Sequence, residues 1–206
     1  MSLRDRLKAL GIELHDIISE NEYQVPAHND NTHKYFAIHY LGVNGENPYL
    51  YGGGYGGHFY ISKKGEVYQA AKVTDKLWHV GASSGFSYIH PDARNNNTIG
   101  VECATFTLSG NNNDDEEWFF TEETQIAAAK LAACISMEYG IPLENILRHG
   151  DITTKNCPSP LKRDQGIGSN WTWDEFKERV KSYMEGKTIG GIHTDNSNGI
   201  FLKVGE

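Results

Sequence analysis

The chain contains several short segments rich in β-branched and aromatic residues and one long segment with helical spacing, and this combination constrains its fold most strongly. Residues 34–41, 58–62, 66–69 and 98–105 are rich in Ile, Val, Tyr, Phe and Thr, which is typical of strands. Residues 121–139 instead place apolar side chains at helical spacing and begin with a threonine that can cap a helix. Strands interleaved with helices predict a mixed α/β domain.

Turn and capping signals set the boundaries of these elements. Lys63–Gly65 separates two predicted strands and therefore predicts a hairpin. Gly140 ends the long helix, and the capping-box sequence from Thr172 to Glu175 begins a final one. Residues 2–20 predict a short amphipathic helix and its exit. Beyond residue 185 the composition shifts to Gly, Asn and Thr, so residues 186–206 are predicted to be a polar linker or small hairpin.

Composition and charge exclude several classes of protein. Of 206 residues, 38% are hydrophobic and 22% charged, which excludes disorder, collagen and coiled coil. No apolar run approaches the roughly 18 residues of a membrane span, so we expect no membrane insertion. The formal charge of -8 argues against nucleic acid as a partner. The first ten residues alternate charge with leucine and lack a signal-peptide core, so we expect synthesis in the cytoplasm without an export signal.

A histidine and a cysteine share one loop and suggest a metal site. His149 and Cys157 lie in a segment of Gly, Asp and Thr that is followed by prolines and cannot be a continuous helix or strand. Imidazole and thiolate are preferred zinc ligands, and His39, in a predicted strand, is the best candidate for the third ligand. Three protein ligands plus water are typical of catalytic zinc. Spacing alone leaves the alternative open that these are an ordinary strand histidine and a buried thiol.

Two further residues have the chemistry of a hydrolase site. Glu102 interrupts an apolar strand and shares a face with the small residues Gly100 and Ala104, so burial would raise its pKa toward that of a working base. An edge-strand glutamate paired with a lysine is the alternative. Lys155 precedes the loop cysteine by two positions and could stabilise an oxyanion, or it could be a solvated loop lysine.

Two features could border a substrate groove. His79 lies among apolar neighbours in a loop, where it could either hydrogen-bond substrate or fix the loop. Residues 42–57 form a glycine- and tyrosine-rich stretch that is too long for a simple connection, and such loops often line binding sites. Tyrosines there could pack on sugar or peptide faces.

Taken in order, these segments resemble the zinc-dependent N-acetylmuramoyl-L-alanine amidases of the type-2 family. That family includes phage lysins, bacterial muropeptide amidases and animal peptidoglycan recognition proteins. The resemblance covers about residues 34–160. The matching motifs are Phe36-Ala-Ile-His-Tyr40, Gly57-His-Phe-Tyr-Ile-Ser-Lys-Lys-Gly-Glu-Val-Tyr68, Trp78-His-Val-Gly81, Thr98-Ile-Gly-Val-Glu102, and Arg148-His-Gly-Asp151 with Lys155-Asn-Cys-Pro158.

The resemblance implies a fold and a metal. It implies a single mixed central β-sheet flanked by helices, and one Zn²⁺ per chain held by His39, His149 and Cys157. Family members that only bind peptidoglycan often lack the metal-binding cysteine, so the presence of Cys157 favours an enzyme.

The resemblance also implies the catalytic and substrate-binding residues. Lys155 matches a catalytic lysine, and Glu102 stands at the position of a catalytic glutamate found in one branch of the family. Some phage members instead use a tyrosine where this chain has Gly57, so we expect this chain to use the glutamate. His79 and Tyr40 are predicted to contact substrate.

Together these inferences predict an enzyme acting on peptidoglycan. Residues 1–185 would be a zinc amidase domain that cleaves the amide between N-acetylmuramic acid and L-alanine. Residues 186–206 would be a remnant or the start of a wall-binding module. A phage or prophage endolysin, acting on the bacterial cell wall after release, is the expected setting. The alternatives are a non-catalytic peptidoglycan-binding module, a cytoplasmic muropeptide-recycling amidase, and a cysteine hydrolase using Cys157 with His149. The sequence leaves the oligomeric state open.

Overall fold

The computed structural model describes residues 1–20, 30–45, 54–112, 117–162, 166–186, 192–195 and 200–203. Seven strands form the main sheet: β1 (Leu14–Asp16), β2 (Tyr35–Asn44), β3 (Phe59–Ile61), β4 (Val67–Gln69), β5 (Thr98–Thr107), β6 (Trp118–Phe119) and β7 (Ile146–Arg148). The helices are α1 (Leu3–Ala9), α2 (Glu122–Tyr139), α3 (His149–Ile152) and α4 (Trp173–Met184). Strands β8 (Ile192–Asp195) and β9 (Ile200–Lys203) form a separate antiparallel pair.

The main sheet is mixed, and its strand order is β1-β4-β3-β5-β2-β7, with β6 paired to β5. The two long strands β2 and β5 run parallel at its centre, and β7 lies parallel to β2 on the other side. Strands β3 and β4 form the predicted antiparallel hairpin. Because α1 and α4 pack on α2, which packs on the sheet, the expected α/β class with a mixed central sheet flanked by helices is confirmed.

One face of the sheet forms the main hydrophobic core. Phe36 and Ile38 of β2 and Ile99 and Val101 of β5 are fully buried against α2. Full burial of such a side chain contributes about 1.5–3 kcal/mol. Helix α2 packs against the sheet and also against α1 and α4, and small side chains let these neighbours lie close to it. The buried alanines of α2 are Ala127, Ala128, Ala129, Ala132 and Ala133.

Local signals in the sequence set both ends of α2 and the start of α4, as predicted. The Thr121 hydroxyl accepts a hydrogen bond from the Thr124 amide at 3.2 Å, and Gly140 ends α2 with a φ of 68°. At the start of α4, the Thr172 amide donates to the Glu175 carboxylate at 2.7 Å, and the Glu175 amide donates back to the Thr172 hydroxyl at 3.2 Å. This reciprocal pair is the predicted capping box.

The opposite face of the sheet carries polar residues. Side chains alternate along a strand, so His39 faces away from its neighbours Ile38 and Tyr40, as predicted. Across the parallel β2–β5 pairing, His39 lies in register with Glu102. Both side chains are buried, with 3% and 8% of their surfaces exposed. The sheet therefore separates an apolar core from a buried polar site.

The structure also contains elements that were not predicted. Residues 2–20 hold the expected helix, but Leu14–Asp16 adds a strand that pairs in parallel with Val67–Gln69. Strands β6 and β7 and helix α3 span two to four residues each, too few to show a periodic pattern. Of the predicted glycine- and tyrosine-rich loop at residues 42–57, the first three residues continue β2, and residues 46–53 lie outside the described part of the chain.

The C-terminal segment contains the β8–β9 pair, and residues 196–199 between these strands lie outside the described part of the chain. The division of the chain after residue 185 stays a prediction. Within the described ranges, no helix has both the length and the apolar character needed to cross a bilayer.

Candidate metal centre

Parallel pairing of β2 with β7 brings two histidines together. Ile38 pairs with Arg148, so the residues that follow each of them, His39 and His149, come side by side. Their ring centroids lie 4.7 Å apart with an interplanar angle of 64°. His149 is also the first residue of α3, so the end of β7 and the start of the helix together fix its position.

A tight turn after α3 brings Cys157 to the same point. The Gly150 amide donates a hydrogen bond to the Cys157 carbonyl at 2.6 Å, which folds the loop back on the helix. A Cβ on Gly150 would lie 2.7 Å from the Lys155 carbonyl oxygen and 3.1 Å from that of Cys157, so the turn requires glycine. The Cys157 sulfur lies 3.7 Å from Nδ1 of His39.

His39, His149 and Cys157 form a compact cluster of possible metal ligands. All three are buried, and one ligand atom from each lies within 4.8 Å of the other two. Zinc–ligand bonds are about 2.0–2.3 Å long, so inward shifts of these side chains would bring all three atoms into contact with one ion. The structure thus brings together the three residues that were predicted to be metal ligands.

The protonation states of the cluster suit a metal ion. Burial lowers the pKa of His149 to about 4 and that of His39 well below its usual value, so both imidazoles are neutral. Nε2 of His149 is buried and has no hydrogen-bond partner among the described residues. Burial raises the pKa of the Cys157 thiol, opposed by a backbone hydrogen bond from Tyr40 and by the charge of Lys155. Two neutral imidazoles and a thiol that needs a cation to ionise are a donor set that fits zinc.

Glu102 lies on β5 directly beside the cluster. It is in register with His39 on one side and with Tyr60 on the other. Burial raises the pKa of its carboxyl group to about 8, and the positive charge of Lys155 partly opposes this. A carboxyl group with a pKa near neutrality can both accept and return a proton, and the catalytic role of Glu102 stays a prediction.

Lys155 joins the cluster to an open cavity. The side chain is half-buried, and its charge acts on Glu102 and on all three candidate ligands. Its ammonium lies 5.4 Å from the centre of the Phe86 ring. The cavity has a volume of about 450 Å³. It is lined by Lys155, Tyr55, Trp78, His79, Gly81, Ala82, Ser83, Tyr88 and Asn95.

His79 lines this cavity and also contacts a candidate ligand. Its Nδ1 lies 3.1 Å from Nε2 of His39, and its Nε2 lies 3.0 Å from the Thr98 carbonyl oxygen. Its backbone amide donates to the Asn95 side-chain oxygen at 3.1 Å. Only 7% of the residue is exposed. The predicted contact with substrate stays a prediction, and both ring nitrogens already face partners within the protein.

Tyr40 occupies a different position from the other candidate residues. Its ring packs against the main core on the helix side of the sheet, 6.3 Å from the ring of Trp118. Its backbone, rather than its ring, reaches the cluster through the hydrogen bond to Cys157. Substrate binding by Tyr40 therefore also stays a prediction.

Arg148, Asp151 and Asn95 hold the cluster in place, and none of them was predicted to do so. The Arg148 guanidinium binds the Asp151 carboxylate, with 2.7 Å between Nη2 and Oδ1. The Arg148 amide donates to the same carboxylate at 2.8 Å, which caps the short helix that begins at His149. The signal was an arginine and an aspartate three residues apart around a candidate ligand. The side-chain oxygen of Asn95, a residue that no sequence pattern singled out, accepts hydrogen bonds from the backbone amides of His79 and Val80.

Known structures share this fold. The catalytic domain of PlyG matches with a TM-score of 0.59 and 19% identity, covering 84% of this chain and 96% of that one. The endolysin N-acetylmuramoyl-L-alanine amidase LysCS from Clostridium intestinale URNW matches with a TM-score of 0.54 and 19% identity, covering 82% of this chain and 95% of that one. At this identity the likeness concerns the fold alone.

Sequence comparison finds longer relatives. A probable N-acetylmuramoyl-L-alanine amidase of Bacillus licheniformis is 34% identical over 124 residues, which are 58% of this chain and 31% of the relative. The amidase CwlL of the same species is 25% identical over 155 residues, 72% of this chain and 39% of the relative. The chain thus spans about a third of the length of these relatives.

A family model also matches the chain. Residues 10–160, well over half of the sequence, match the Amidase_2 family, described as N-acetylmuramoyl-L-alanine amidase. The matched region contains both candidate ligand histidines, the candidate ligand cysteine, Glu102 and Lys155. The chain therefore belongs to the type-2 N-acetylmuramoyl-L-alanine amidase family.

Proposed function

We propose that this chain is a zinc-dependent hydrolase that cleaves the amide between N-acetylmuramic acid and L-alanine in peptidoglycan. The observation that carries the proposal is the buried His39, His149 and Cys157 cluster beside a buried carboxyl group and an open cavity. Membership of the family and the names of the curated relatives support the same activity.

The cluster residues would hold the ion through two imidazole nitrogens and one thiolate. When bound, zinc supplies a Lewis acid that acidifies water and polarises a carbonyl group. Cys157 releases its proton on binding the ion, because a buried thiolate is stable only beside compensating positive charge. The buried walls of the cluster exclude other water and strengthen each electrostatic interaction in the site.

Glu102 and Lys155 would perform the proton transfer and the charge stabilisation. Glu102 accepts the proton of the attacking water on its carboxylate and returns it to the leaving amide nitrogen. Lys155 lowers the cost of ionising that carboxyl group. It also stabilises the negative charge that develops on the substrate carbonyl oxygen.

The aromatic wall of the cavity would bind the glycan and the peptide. Tyr55, Trp78 and Tyr88 are 62%, 39% and 39% exposed, which is unusual for such large apolar side chains near a buried site. Lys76 lies over the Trp78 ring and Arg94 over the Tyr88 ring, which holds both rings in place. Sugar and peptide faces pack on such rings. His79 and Tyr40 remain proposed substrate contacts.

We place this activity in an endolysin of phage or prophage origin that acts on the bacterial cell wall. The endolysin LysCS has the same fold as this chain, so this setting requires no other architecture. The family match lies within residues 1–185, which we assign as the catalytic domain. Residues 186–206 would connect it to, or form part of, a wall-binding module. A muropeptide-recycling amidase would act on soluble fragments and not on intact walls, and comparison of the two substrates separates the settings.

The test combines zinc analysis with digestion of peptidoglycan. We expect near one zinc per chain and, by mass spectrometry, free stem peptides that begin with L-alanine. A chelator should abolish the release and added zinc should restore it, whereas thiol alkylation of the zinc-loaded enzyme should not. Binding to walls without release of amino groups would refute the proposal in favour of a binding module. Activity that survives chelation but not alkylation would instead indicate a cysteine hydrolase.

A further inference from the structure

A chain of hydrogen bonds links a candidate ligand to the protein backbone. Nε2 of His39 lies 3.1 Å from Nδ1 of His79, and Nε2 of His79 lies 3.0 Å from the Thr98 carbonyl oxygen. All three groups are buried. The last group in the chain is a carbonyl, which can only accept a hydrogen bond. This fixed end determines the direction of every bond before it.

The protonation pattern follows from that direction. The Thr98 carbonyl requires a proton on Nε2 of His79, and a neutral imidazole then has an unprotonated Nδ1. This Nδ1 accepts, so His39 donates from its own Nε2. Nδ1 of His39 is thereby left with a lone pair, and it lies 3.7 Å from the Cys157 sulfur, on the side of the cluster. These hydrogen bonds thus leave Nδ1 of His39 unprotonated, which is the state that metal coordination requires.

His149, the second candidate histidine ligand, also has one unprotonated nitrogen, but its other nitrogen is held by the backbone and not by a side chain. His149 forms a backbone hydrogen bond to Gly81, and its Nε2 has no partner among the described residues. The Gly81 bond therefore falls on Nδ1 and leaves Nε2 with the lone pair. Each imidazole has one nitrogen held by the protein and one that is free. A backbone carbonyl holds His149 directly, whereas His39 depends on another side chain.

The surroundings of His79 fix its ring in this role. The Asn95 side-chain oxygen accepts from the amides of His79 and Val80 at 3.1 and 2.9 Å, which holds the backbone. Any Cβ at Gly100 would overlap the His79 ring, so the glycine makes room for it. The His58 ring meets the His79 ring edge-on at 5.5 Å. His58 is itself held, because its Nδ1 accepts from the Gly100 amide at 3.0 Å.

We propose that His79 is a positioning residue that holds His39 in the Nε2-protonated tautomer and so directs its Nδ1 toward the metal. The proposal rests on the proposed function, because it assumes that the cluster binds zinc. It differs from the predicted substrate contact, since it assigns both ring nitrogens to the protein interior. Outer partners of metal-binding histidines typically change metal affinity about 10- to 100-fold when removed.

The first experiment examines the metal-free wild-type protein. Long-range ¹H–¹⁵N correlation spectra distinguish the two neutral tautomers of histidine. We expect His39 and His79 to carry the proton on Nε2, with both Nδ1 atoms unprotonated. A proton on Nδ1 of His39 would overturn the proposal, and this result does not depend on any variant folding.

The second experiment measures zinc affinity by competition with a chromophoric chelator. His79→Leu removes the acceptor and should weaken zinc binding about 10- to 100-fold. His79→Gln keeps an acceptor for His39 and a donor for Thr98, so it should restore affinity to within a few fold of wild type. His33→Leu is the matched control, because His33 also gives up one hydrogen bond to a carbonyl, that of Val73 at 3.0 Å, away from the cluster.

The outcomes separate this inference from the proposed function. Wild-type protein that binds no zinc would overturn both. Wild-type protein that binds zinc while His79→Leu binds it equally well would overturn the inference alone. Equal losses in His79→Leu and His79→Gln would also overturn it, because they would indicate that the ring only fills space.

Discussion

The turn at Gly150 provides a sharp test of how the chain holds its cysteine. A Cβ at this position would lie 2.7 Å from the Lys155 carbonyl oxygen, whereas ordinary contacts begin near 3.4 Å. Gly150→Ala must therefore open the loop by about 0.7 Å, against a hydrogen bond of 2.6 Å between the Gly150 amide and the Cys157 carbonyl. Ligand distances in metal sites lie within about 0.2 Å of their usual values. Displacement of the Cys157 sulfur should therefore weaken zinc binding in Gly150→Ala while the variant still folds.

The expected magnitudes follow from that displacement. Overpacking of a buried turn costs about 1–3 kcal/mol, so the metal-free variant should still fold but unfold at lower urea concentration. Its zinc affinity should fall at least about 10-fold, in line with changes around metal ligands generally. Gly45→Ala is the control, because a Cβ there would meet only a Val43 methyl group at 4.0 Å. We would measure zinc affinity by chelator competition and stability by urea unfolding of both variants without metal.

One result would refute this reasoning. If Gly150→Ala bound zinc as tightly as Gly45→Ala while its urea midpoint fell, the loop would absorb the strain without moving the sulfur. The tight turn would then serve the stability of the loop and not the placement of Cys157.

Further predictions concern the site and its supports. Cys157→Ser should lose zinc during dialysis against buffer, and normal zinc content would exclude the sulfur as a ligand. Glu102→Gln should retain zinc but lower turnover about 10²- to 10⁴-fold, as measured by amino-group release. In metal-free protein, folding raises the pKa of Glu102 from 4.5 to about 8, so the folded state binds more protons than the unfolded state between these pH values. Wild type should therefore lose stability relative to Glu102→Gln as the pH rises from 4.5 to about 8. Urea midpoints of the two proteins that change in parallel with pH would contradict this. Asp151→Asn removes the charge partner of the half-buried Arg148 and should lower the free energy of unfolding in urea by about 1–3 kcal/mol. An unchanged urea midpoint would show that the ion pair does not contribute to stability.

Local signals in the sequence were sufficient for the longer elements. The β-branched runs around Phe36 and Val101 predicted the two central strands, and Thr121 and Gly140 predicted both ends of α2. Strand β1 could not be predicted in this way, because three residues show no periodicity and only its pairing with β4 makes it a strand. The same holds for β7, whose pairing with β2 brings the two histidines together.

The clustering of the candidate ligands was predictable from residue chemistry and resemblance, and the contacts that hold them in place were not. His39, His149 and Cys157 have metal-ligand chemistry in any context, so their types were informative before their positions were known. The contact between His39 and His79 joins residues 40 positions apart on different elements. No local pattern encodes that distance, and the role of Asn95 in holding the His79 backbone likewise depends on tertiary packing.

The alternation of side chains along β2 makes the length of this strand critical. Ile38 and His39 are adjacent in the chain but serve the core and the polar site on opposite faces of the sheet. Deleting one residue before them would exchange their orientations, placing an imidazole in the core and an isoleucine at the cluster. Insertions or deletions of a single residue between residues 35 and 40 are therefore expected to inactivate the enzyme, even where each single substitution is accepted.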